Sequence, residues 1–400
     1  MDEQDLDPLA GTSKEQDPGT GRGHARTIFD TDPLTSPFGI HMQPKRQSQR
    51  IRCGAMAHRR QLALAVLGLG LVAVVAVPGV FAASPKIACA YVETGAPGPA
   101  DNVLRVEDHS ASATHVYRKG EEIVVSSNVE DEPTACSGGT PTVLDVDKIE
   151  YSTTNSTPFF DYIGGGPLAP GATPEANGSE IEVTVQEEYE PPVIGVSGTR
   201  GADSIVVGEL GPHQVGVNLN AQEDGAAQDA DFVLAAPDPT QARVRIVGKA
   251  GDDRMTDLGG PGFSGPLASD HLSFAGAEGN DTMIGGPHRE HFGGGGDNDV
   301  FLSGAGNDTL VIGAGHDLAR AGKGADRIEN IGDVGGAPLD TTTDRIFAGP
   351  GNDIVESVQI PNQVGGDLVN CGAGRGDDAE IDPGDRPKAC EKVEVRHLSP

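Results

Sequence analysis

Acidic residues recur at a fixed interval in the C-terminal half of the chain. Steps of nine residues from Asp281 reach an acid at every step up to residue 353 except at Gly335; the acids are Asp281, Glu290, Asp299, Asp308, Asp317, Asp326, Asp344 and Asp353. Several of them follow a Gly-x-Gly-x segment. Carboxylates combined with backbone carbonyl oxygens are the usual ligands of calcium, so this spacing points to cation binding.

A second fixed position lies two residues after each acid and is nearly always apolar. Its occupants are Met283, Phe292, Phe301, Leu310, Ala319, Ile328, Ile346 and Val355. A nine-residue unit with a glycine-rich turn and a short strand would bury one such residue, and glycine permits the positive φ of the turn. Two units make one coil. The pattern therefore predicts an all-β fold, a parallel β-roll or β-helix (a solenoid), preceded by an irregular β-rich segment.

The sequence resembles the hemolysin-type (RTX) calcium-binding repeat, G-G-x-G-x-D-x-U-x with U apolar. The nine-residue spacing of the acids, the glycines before them and the apolar residue after them all agree with this motif. The resemblance covers residues 276 to 355 and implies several Ca²⁺ ions between the turns of successive coils. It implies no catalytic residue and no organic cofactor. The candidate metal-binding residues are Gly279, Asp281, Asp299, Gly304, Gly306, Asp308, Gly313, Gly315, Asp317, Gly322, Gly324, Asp326, Asp344, Gly351 and Asp353.

Acids eighteen residues apart should stack on the same edge of the solenoid, about 4.8 Å apart. The expected stacked pairs are Asp281 with Asp299, Asp299 with Asp317, Asp308 with Asp326, and Asp326 with Asp344. Like charges at this distance repel by about 3 to 4 kcal/mol at an effective dielectric constant of 20, so a divalent cation is expected between them.

Three parts of the pattern are irregular. We expect weak or empty sites at 285 to 293, which lacks the glycine two before its acid, and at 330 to 343, which lacks the acid and the glycines at the repeat positions. Similar segments make Asp203 and Asp253 candidate ligands of isolated rungs, but neither has a neighbour in register, so we prefer to interpret both as surface turns.

The composition agrees with a cation as partner. The chain has 60 acidic and 29 basic residues and a formal charge of -31, which disfavours nucleic acid and anionic membranes. It has no Trp but 57 Gly and 29 Pro, so a conventional aromatic-rich core is not expected.

The amino-terminal region suggests export. Residues 1 to 55 are interpreted as disordered or as a mis-assigned start, and 56 to 83, beginning at Met56, as a signal peptide cleaved near Ala82 or Ala83. A membrane anchor formed by residues 62 to 83 is the alternative. Cleavage would give an extracellular protein that is not embedded in a membrane.

The remaining chain divides into four regions. Residues 84 to 196 are a β-rich region, either a separate domain or the first coils of the solenoid; 197 to 275 are irregular rungs; 276 to 356 are the repeats; and 357 to 400 are a cap containing Cys371 and Cys390. Removal of the signal peptide leaves four cysteines. Disulfides Cys89 to Cys136 and Cys371 to Cys390 are the simplest of three possible connectivities.

Enzymes are the main competing class. The chain has no H-E-x-x-H motif, since the histidines of His288-Arg-Glu-His291 are too closely spaced, and it has no G-x-S-x-G motif. We therefore expect a secreted calcium-binding protein without catalytic activity. The alternatives are an adhesin or cell-surface structural protein, or a non-catalytic module of a secreted polysaccharide-modifying enzyme. Polysaccharide chemistry by a carboxylate pair, and an extracellular glycan or cell-surface partner, stay open.

Overall fold

The computed structural model describes residues 87–93, 102–110, 112–127, 132–154, 156–161, 168, 181–187, 191–219, 230–331, 342–358 and 366–396. Segments 1 to 55 and 56 to 83, including the predicted signal peptide, lie outside these ranges. The described residues form twenty-six strands and one 3₁₀ turn, Pro239–Gln241. They contain no helix that could cross a membrane. The predicted all-β class is confirmed.

The strands are short and follow one another at close intervals. The first thirteen are β1 (Ile87–Val92), β2 (Val103–Asp108), β3 (Thr114–Lys119), β4 (Glu122–Ser126), β5 (Lys148–Thr153), β6 (Pro158–Asp161), β7 (Glu182–Glu187), β8 (Val193–Ser197), β9 (Ser204–Gly211), β10 (Gln214–Asn218), β11 (Phe232–Ala235), β12 (Arg243–Ala250) and β13 (Arg254–Thr256). The others are β14 (Leu272–Glu278), β15 (Thr282–Ile284), β16 (Glu290–Gly296), β17 (Val300–Leu302), β18 (Thr309–Ala314), β19 (Leu318–Arg320), β20 (Arg327–Ile331), β21 (Arg345–Pro350), β22 (Ile354–Val358), β23 (Leu368–Ala373), β24 (Asp378–Ile381), β25 (Arg386–Lys388) and β26 (Lys392–Val395).

These strands build two long sheets. Sheet A has the order β1-β2-β5-β7-β11-β10-β9-β13-β15-β17-β19-β21-β23-β25, and sheet B the order β26-β24-β22-β20-β18-β16-β14-β12-β8-β6-β3-β4. From β12 onward the chain alternates between the sheets, and each strand pairs in parallel with the strand one coil later. This is the arrangement of a β-solenoid, in which each coil contributes one strand to each sheet.

One apolar side chain per strand fills the interior of each coil. In sheet A the column runs through Ile205, Met255, Met283, Phe301, Ala319, Ile346 and Val369; in sheet B it runs through Ile246, Phe274, Phe292, Leu310, Ile328, Val355 and Ala379. All of these side chains are fully buried in one continuous core. Full burial of a Leu-sized or larger side chain contributes about 1.5 to 3 kcal/mol as an upper bound. The core is narrow because its repeat supplies one large residue per nine.

Strands between 87 and 196 belong to the same two sheets as the repeats, at the end that begins with β1 and β4. The segment 134 to 143 lies along this end. Its backbone bonds to both edge strands: Tyr91 N–H donates to Ser137 O at 2.8 Å, and Ile123 N–H donates to Pro141 O at 2.9 Å. The segment therefore covers open edges of both sheets at one end of the solenoid.

Both expected disulfides are present. Cys89 of β1 is bonded to Cys136 of the covering segment, and Cys371 of β23 is bonded to Cys390. The first fastens the covering segment to sheet A. The second joins two successive levels at the other end. Within the region 357 to 400, predicted to be a cap, the chain forms β23 to β26, which are the last strands of the two sheets.

Candidate cation sites on the turn edges

The acids of the repeats form two continuous rows, one along each turn edge. Row 1 consists of Asp203, Asp253, Asp281, Asp299, Asp317, Asp344, Asp367 and Asp385. The backbone N–H of each member donates to Oδ1 of the next member at 2.7 to 3.0 Å. Row 1 therefore reaches from β9 to β25, much farther than the periodic acids alone.

Row 2 consists of Glu290, Asp308, Asp326, Asp353, Asp377 and Glu391, and it is built in the same way. The N–H of each member donates to a carboxylate oxygen of the next at 2.8 to 3.0 Å. Every acid in the candidate set thus lies in one of the two rows. The rows place carboxylates of successive coils directly against one another, as the eighteen-residue spacing predicts.

Two expectations were wrong. Asp203 and Asp253 are members of row 1 and not surface turns, since Asp203 N–H bonds to Asp253 Oδ1 and Asp253 N–H bonds to Asp281 Oδ1, each at 2.8 Å. Asp326 stacks on Asp353 and not on Asp344, which stacks on Asp317. The reason is that nine additional residues lie between β20 and β21. They shift the register of both rows from 18 to 27 residues at this level; segment 332–341 itself lies outside the described residues.

The turn before each acid brings backbone carbonyls of neighbouring coils close to it. Gly306, two residues before Asp308, has a φ of +152° and a methyl group on it would lie 1.7 Å from His288 O. Gly324, two before Asp326, is equally confined, with Gly306 O at 1.4 Å from the same point. Only glycine fits where the coils approach this closely. The candidate glycines therefore bring rows of carbonyl oxygens alongside the rows of acids.

The first residue of the turn also has to be small because the acid occupies the space beside it. A methyl group on Gly294 would lie 2.3 Å from Asp299 Oδ2 and 2.3 Å from Ile312 O. Gly276 has the same relation to Asp281 Oδ2, at 2.0 Å, and to Gly294 O, at 2.8 Å. Oδ2 of Asp281 and of Asp299 therefore lies close to the same point as a carbonyl oxygen of the next coil. Both oxygens are hydrogen-bond acceptors, and neither Oδ2 receives a donor within the described residues.

Most of these second oxygens receive no hydrogen bond within the described part of the chain. This holds for Oδ2 of Asp253, Asp281, Asp299, Asp308, Asp326, Asp353 and Asp377. The side chains are between 0 and 2 % exposed. A buried carboxylate without a full set of donors is costly, by about 1 to 3 kcal/mol or more for a charged group. A cation or a proton at each of these oxygens would remove the cost.

Burial raises the pKa of these acids. It raises the pKa of Asp299 to about 9, with further contributions from the neighbouring charges of Asp317 and Asp281. For Asp281 burial raises the pKa to about 7, and for Asp326 and Asp353 to about 6. Without a cation, several members of the rows are therefore only partly ionised near neutral pH.

Two members of row 1 obtain their donors from the protein itself. Asn330 Nδ2 donates to Asp344 Oδ2 at 2.7 Å and to Asp367 Oδ2 at 3.1 Å. The Ser357 hydroxyl also donates to Asp367 Oδ2, at 2.7 Å. The Asn330 amide and the Ser357 hydroxyl thus donate to second carboxylate oxygens of the kind that lack a donor in most of the other acids. Asp344 is therefore a weaker candidate calcium ligand than those acids.

The start of row 2 is more acidic than the sequence suggested. No backbone N–H donates to Glu290; its carboxyl group faces those of Asp257 and Asp308, and all four carboxylate oxygens of Asp257 and Glu290 lack a donor within the described residues. Burial, followed by the charges of Asp257 and Asp308, raises the pKa of Glu290. Asp257 was not among the candidates. The weak site expected at 285 to 293 is thus a cluster of three buried carboxyl groups.

The donor set of the rows fits a hard cation, because it consists of carboxylate and carbonyl oxygens only. Among the described residues, no group of three or more His, Cys, Asp or Glu side chains has the geometry of a complete metal site. An ion would therefore combine carboxylates of neighbouring acids with turn carbonyls. The acids missed by the nine-residue count, Asp203, Asp253, Asp367, Asp377 and Asp385, share one signal with the others: the residue two positions later occupies the strand column, as Ile205 and Val369 do.

Comparison with known proteins gives no match to this chain, whether with protein-family models, with curated proteins or with solved structures.

Proposed function

We propose that this protein is an extracellular calcium-binding β-solenoid whose folded state is stabilised by Ca²⁺ along the two acid rows. The single observation that carries the proposal is the repeated buried carboxylate oxygen without a donor, next to a turn carbonyl of the neighbouring coil. The residues that would hold the ions are the acids of rows 1 and 2 and the carbonyls of their turns.

Calcium suits this donor set better than magnesium. It accepts six to eight oxygen ligands in irregular geometry, whereas Mg²⁺ requires a near-ideal octahedron and retains its water. The turns offer mixed carboxylate and carbonyl oxygens from two coils, and their glycine backbones fix the positions of the carbonyls. A bound ion would supply positive charge between stacked carboxylates, which otherwise repel by about 3 to 4 kcal/mol per pair at an effective dielectric constant of 20.

Folding and binding are coupled in such an arrangement. Each site requires two successive coils, so the sites do not exist in the unfolded chain and the binding free energy stabilises the fold. Stabilisation per site rises as RT ln(1 + [Ca²⁺]/Kd), or about 2.7 kcal/mol at one hundred times Kd. Several sites in series should give a large increase in Tm.

An extracellular location is part of the proposal. Two disulfides join neighbouring parts of the solenoid, and such bonds persist mainly in oxidising compartments. The segment 56 to 83 has the order of a signal peptide. Sequencing of the amino terminus of the exported chain should give a start directly after Ala82 or Ala83; a start at Met1 would contradict this part of the proposal.

Calcium titration of the purified, disulfide-bonded protein tests the central claim. Chelator-treated protein should show reduced β signal in circular dichroism or a lower Tm, and Ca²⁺ should raise the Tm by more than 10 °C, with Mg²⁺ at the same concentration raising it much less. Equilibrium dialysis should give more than one bound ion per chain. An unchanged Tm and no retained calcium would contradict the proposal.

A further inference from the structure

The outward face of sheet A carries a group of basic side chains on an otherwise acidic protein. Arg320 on β19 and Arg345 on β21 lie beside the buried residues Ala319 and Ile346 and point away from the core. Arg386 and Lys388 on β25 lie in register with the outward positions Leu368 and Asn370 of β23, on the same face. All four are exposed. They are called the basic face below. Four positive charges within four successive levels of one sheet contrast with the formal charge of -31 on the chain.

No acidic residue lies among them. The other outward positions on the five strands from β17 to β25 are Val300, Leu302, Leu318, Phe347, Leu368 and Asn370. None of the four basic residues forms an ion pair within the described part of the chain. The guanidinium groups of Arg320 and Arg345 instead lie 5.5 and 5.8 Å from the ring centre of Phe347. These cation–π contacts hold the two charges in place without neutralising them.

The opposite face of the solenoid is arranged differently at the same levels. On sheet B, Arg327 pairs with Glu329 and with Glu356, Lys392 pairs with Asp378 at 2.6 Å, and Arg396 pairs with Glu380. Basic residues on sheet B are therefore matched by acids of the same or the neighbouring strand. The same repeat architecture leaves the charges of sheet A available for a partner.

We propose that the basic face binds a linear acidic polysaccharide, with the polymer running along the solenoid axis. Neighbouring strands are about 4.8 Å apart, so the face spans about 14 Å from β19 to β25. A polyuronate carries one carboxylate per sugar ring, at a spacing similar to that of the strands. Arginine binds carboxylates through two parallel hydrogen bonds, and the apolar side chains between the charges can contact sugar rings.

The other polyanions fit less well. Duplex DNA carries one charge per about 1.7 Å of its axis, far denser than four positive charges over about 14 Å of this face. The disulfides favour the extracellular space, where acidic glycans are found. The inference does not rest on the acid rows, which lie on the turn edges and not on the sheet face.

Binding of a fluorescently labelled galacturonic acid hexamer, which is too short to gel with calcium, tests the proposal. The full-length exported chain is used in Ca²⁺ buffer, with a neutral dextran oligomer as the negative ligand. Arg320→Gln combined with Arg345→Gln should weaken binding at least tenfold. Arg327→Gln combined with Arg396→Gln changes the net charge equally but alters sheet B, and should change binding less than twofold.

Circular dichroism in calcium checks that both double variants keep the fold; if the sheet A pair does not fold, Arg386→Gln with Lys388→Gln replaces it. Equal losses in the two double variants, or no binding of the hexamer, would overturn the proposal. So would binding of anionic phospholipid vesicles or duplex DNA that depends on Arg320 and Arg345 and exceeds hexamer binding. Calcium-bridged binding at the turns would be insensitive to both pairs and would count as an overturning result.

Discussion

The backbone N–H of Asp299 donates to Oδ1 of Asp317, eighteen residues later, at 2.7 Å. Each carboxylate after the first in its row is thus fixed through one oxygen by the backbone of the coil before it. The other oxygen is left for a cation, a proton or a side-chain donor. The stability of the solenoid therefore depends on what occupies these second positions, and the following predictions test that dependence.

Substitution Asp299→Asn should have opposite effects with and without calcium. The amide keeps the shape and the Oδ1 acceptor, is neutral without the proton uptake that the raised pKa of Asp299 requires, and adds a donor close to Ile312 O. In chelator the variant should be more stable than the wild type by about 1 to 2 kcal/mol. In saturating calcium it should be less stable, because a ligand has been lost. Denaturant unfolding in chelator and in calcium measures the change in the free energy of unfolding, whose sign should differ between the two conditions.

Glu278→Gln is the matched control for Asp299→Asn. It removes one charge at an exposed position of a neighbouring turn. Surface charges of this kind change stability by about 0.5 kcal/mol or less. If Asp299→Asn changed the stability in the same direction in chelator and in calcium, Asp299 Oδ2 would not be a calcium ligand.

The pH dependence of stability should also invert on calcium binding. Folded-state pKa values of about 6 for Asp326 and Asp353, 7 for Asp281 and 9 for Asp299 lie above the unfolded value near 4. The metal-free fold binds more protons than the unfolded chain, so its stability is fully present below about pH 4 and decreases as the pH rises through 6 to 9.

With calcium the expectation is reversed, because the ion binds deprotonated carboxylates. The increase in Tm caused by Ca²⁺ should therefore be larger at pH 8.5 than at pH 5. Differential scanning calorimetry at both pH values, with chelator and with Ca²⁺, gives the four Tm values needed. A calcium effect that is independent of pH would argue against the carboxylates of the rows as ligands.

Ala277→Gly should stabilise the protein. Ala277 has a φ of +90°, in the position where most other turns have glycine. Relief of this backbone strain is worth about 1 to 2 kcal/mol, against up to about 1 kcal/mol for the greater chain entropy of unfolded glycine. A net gain of about 0.5 to 1 kcal/mol is expected in urea unfolding. Ala305→Gly, in an equivalent turn without a positive φ, should instead destabilise by a similar amount.

Asn330→Ala should destabilise the fold whether or not calcium is present. Asn330 supplies hydrogen bonds to both Asp344 and Asp367 in the interior, and bonds to charged groups are worth about 1.5 to 3 kcal/mol. The free energy of unfolding should fall by about 2 to 3 kcal/mol. Added calcium should restore only part of this loss. Asn352→Ala, which removes an exposed amide from the turn before Asp353, should cost less than about 1 kcal/mol.

The regular part of the molecule could be predicted from the sequence because local and long-range signals agree there. The acid, the turn glycines and the apolar residue recur together around Asp308, so the spacing alone places Asp308 on Asp326 and Leu310 on Ile328. The parallel pairing follows from the repeat, and the pairing of the four cysteines follows from their proximity in the chain.

The remaining contacts could not be predicted, because they follow insertions whose lengths are not multiples of the repeat or lie between residues that no repeat relates. Asp203 and Asp253 are 50 residues apart and yet adjacent in row 1, since the chain between them adds the antiparallel strands β10 and β11 to sheet A before it forms β12. The donor role of Asn330 and the approach of Asp257 to Glu290 are tertiary contacts between different levels. Neither a period nor a motif in the sequence could reveal them.

The eighteen-residue register makes the length of the molecule adjustable in whole steps. Every level between β16 and β20 presents the same backbone edges to the levels above and below, and both rows continue through it. Excision or duplication of one complete level would shorten or lengthen the stack by about 4.8 Å and leave the flanking hydrogen bonds intact. Nine residues that formed one more strand of the coil would instead exchange the two edges, whereas the nine additional residues between β20 and β21 leave Asp344 in row 1 and Asp353 in row 2.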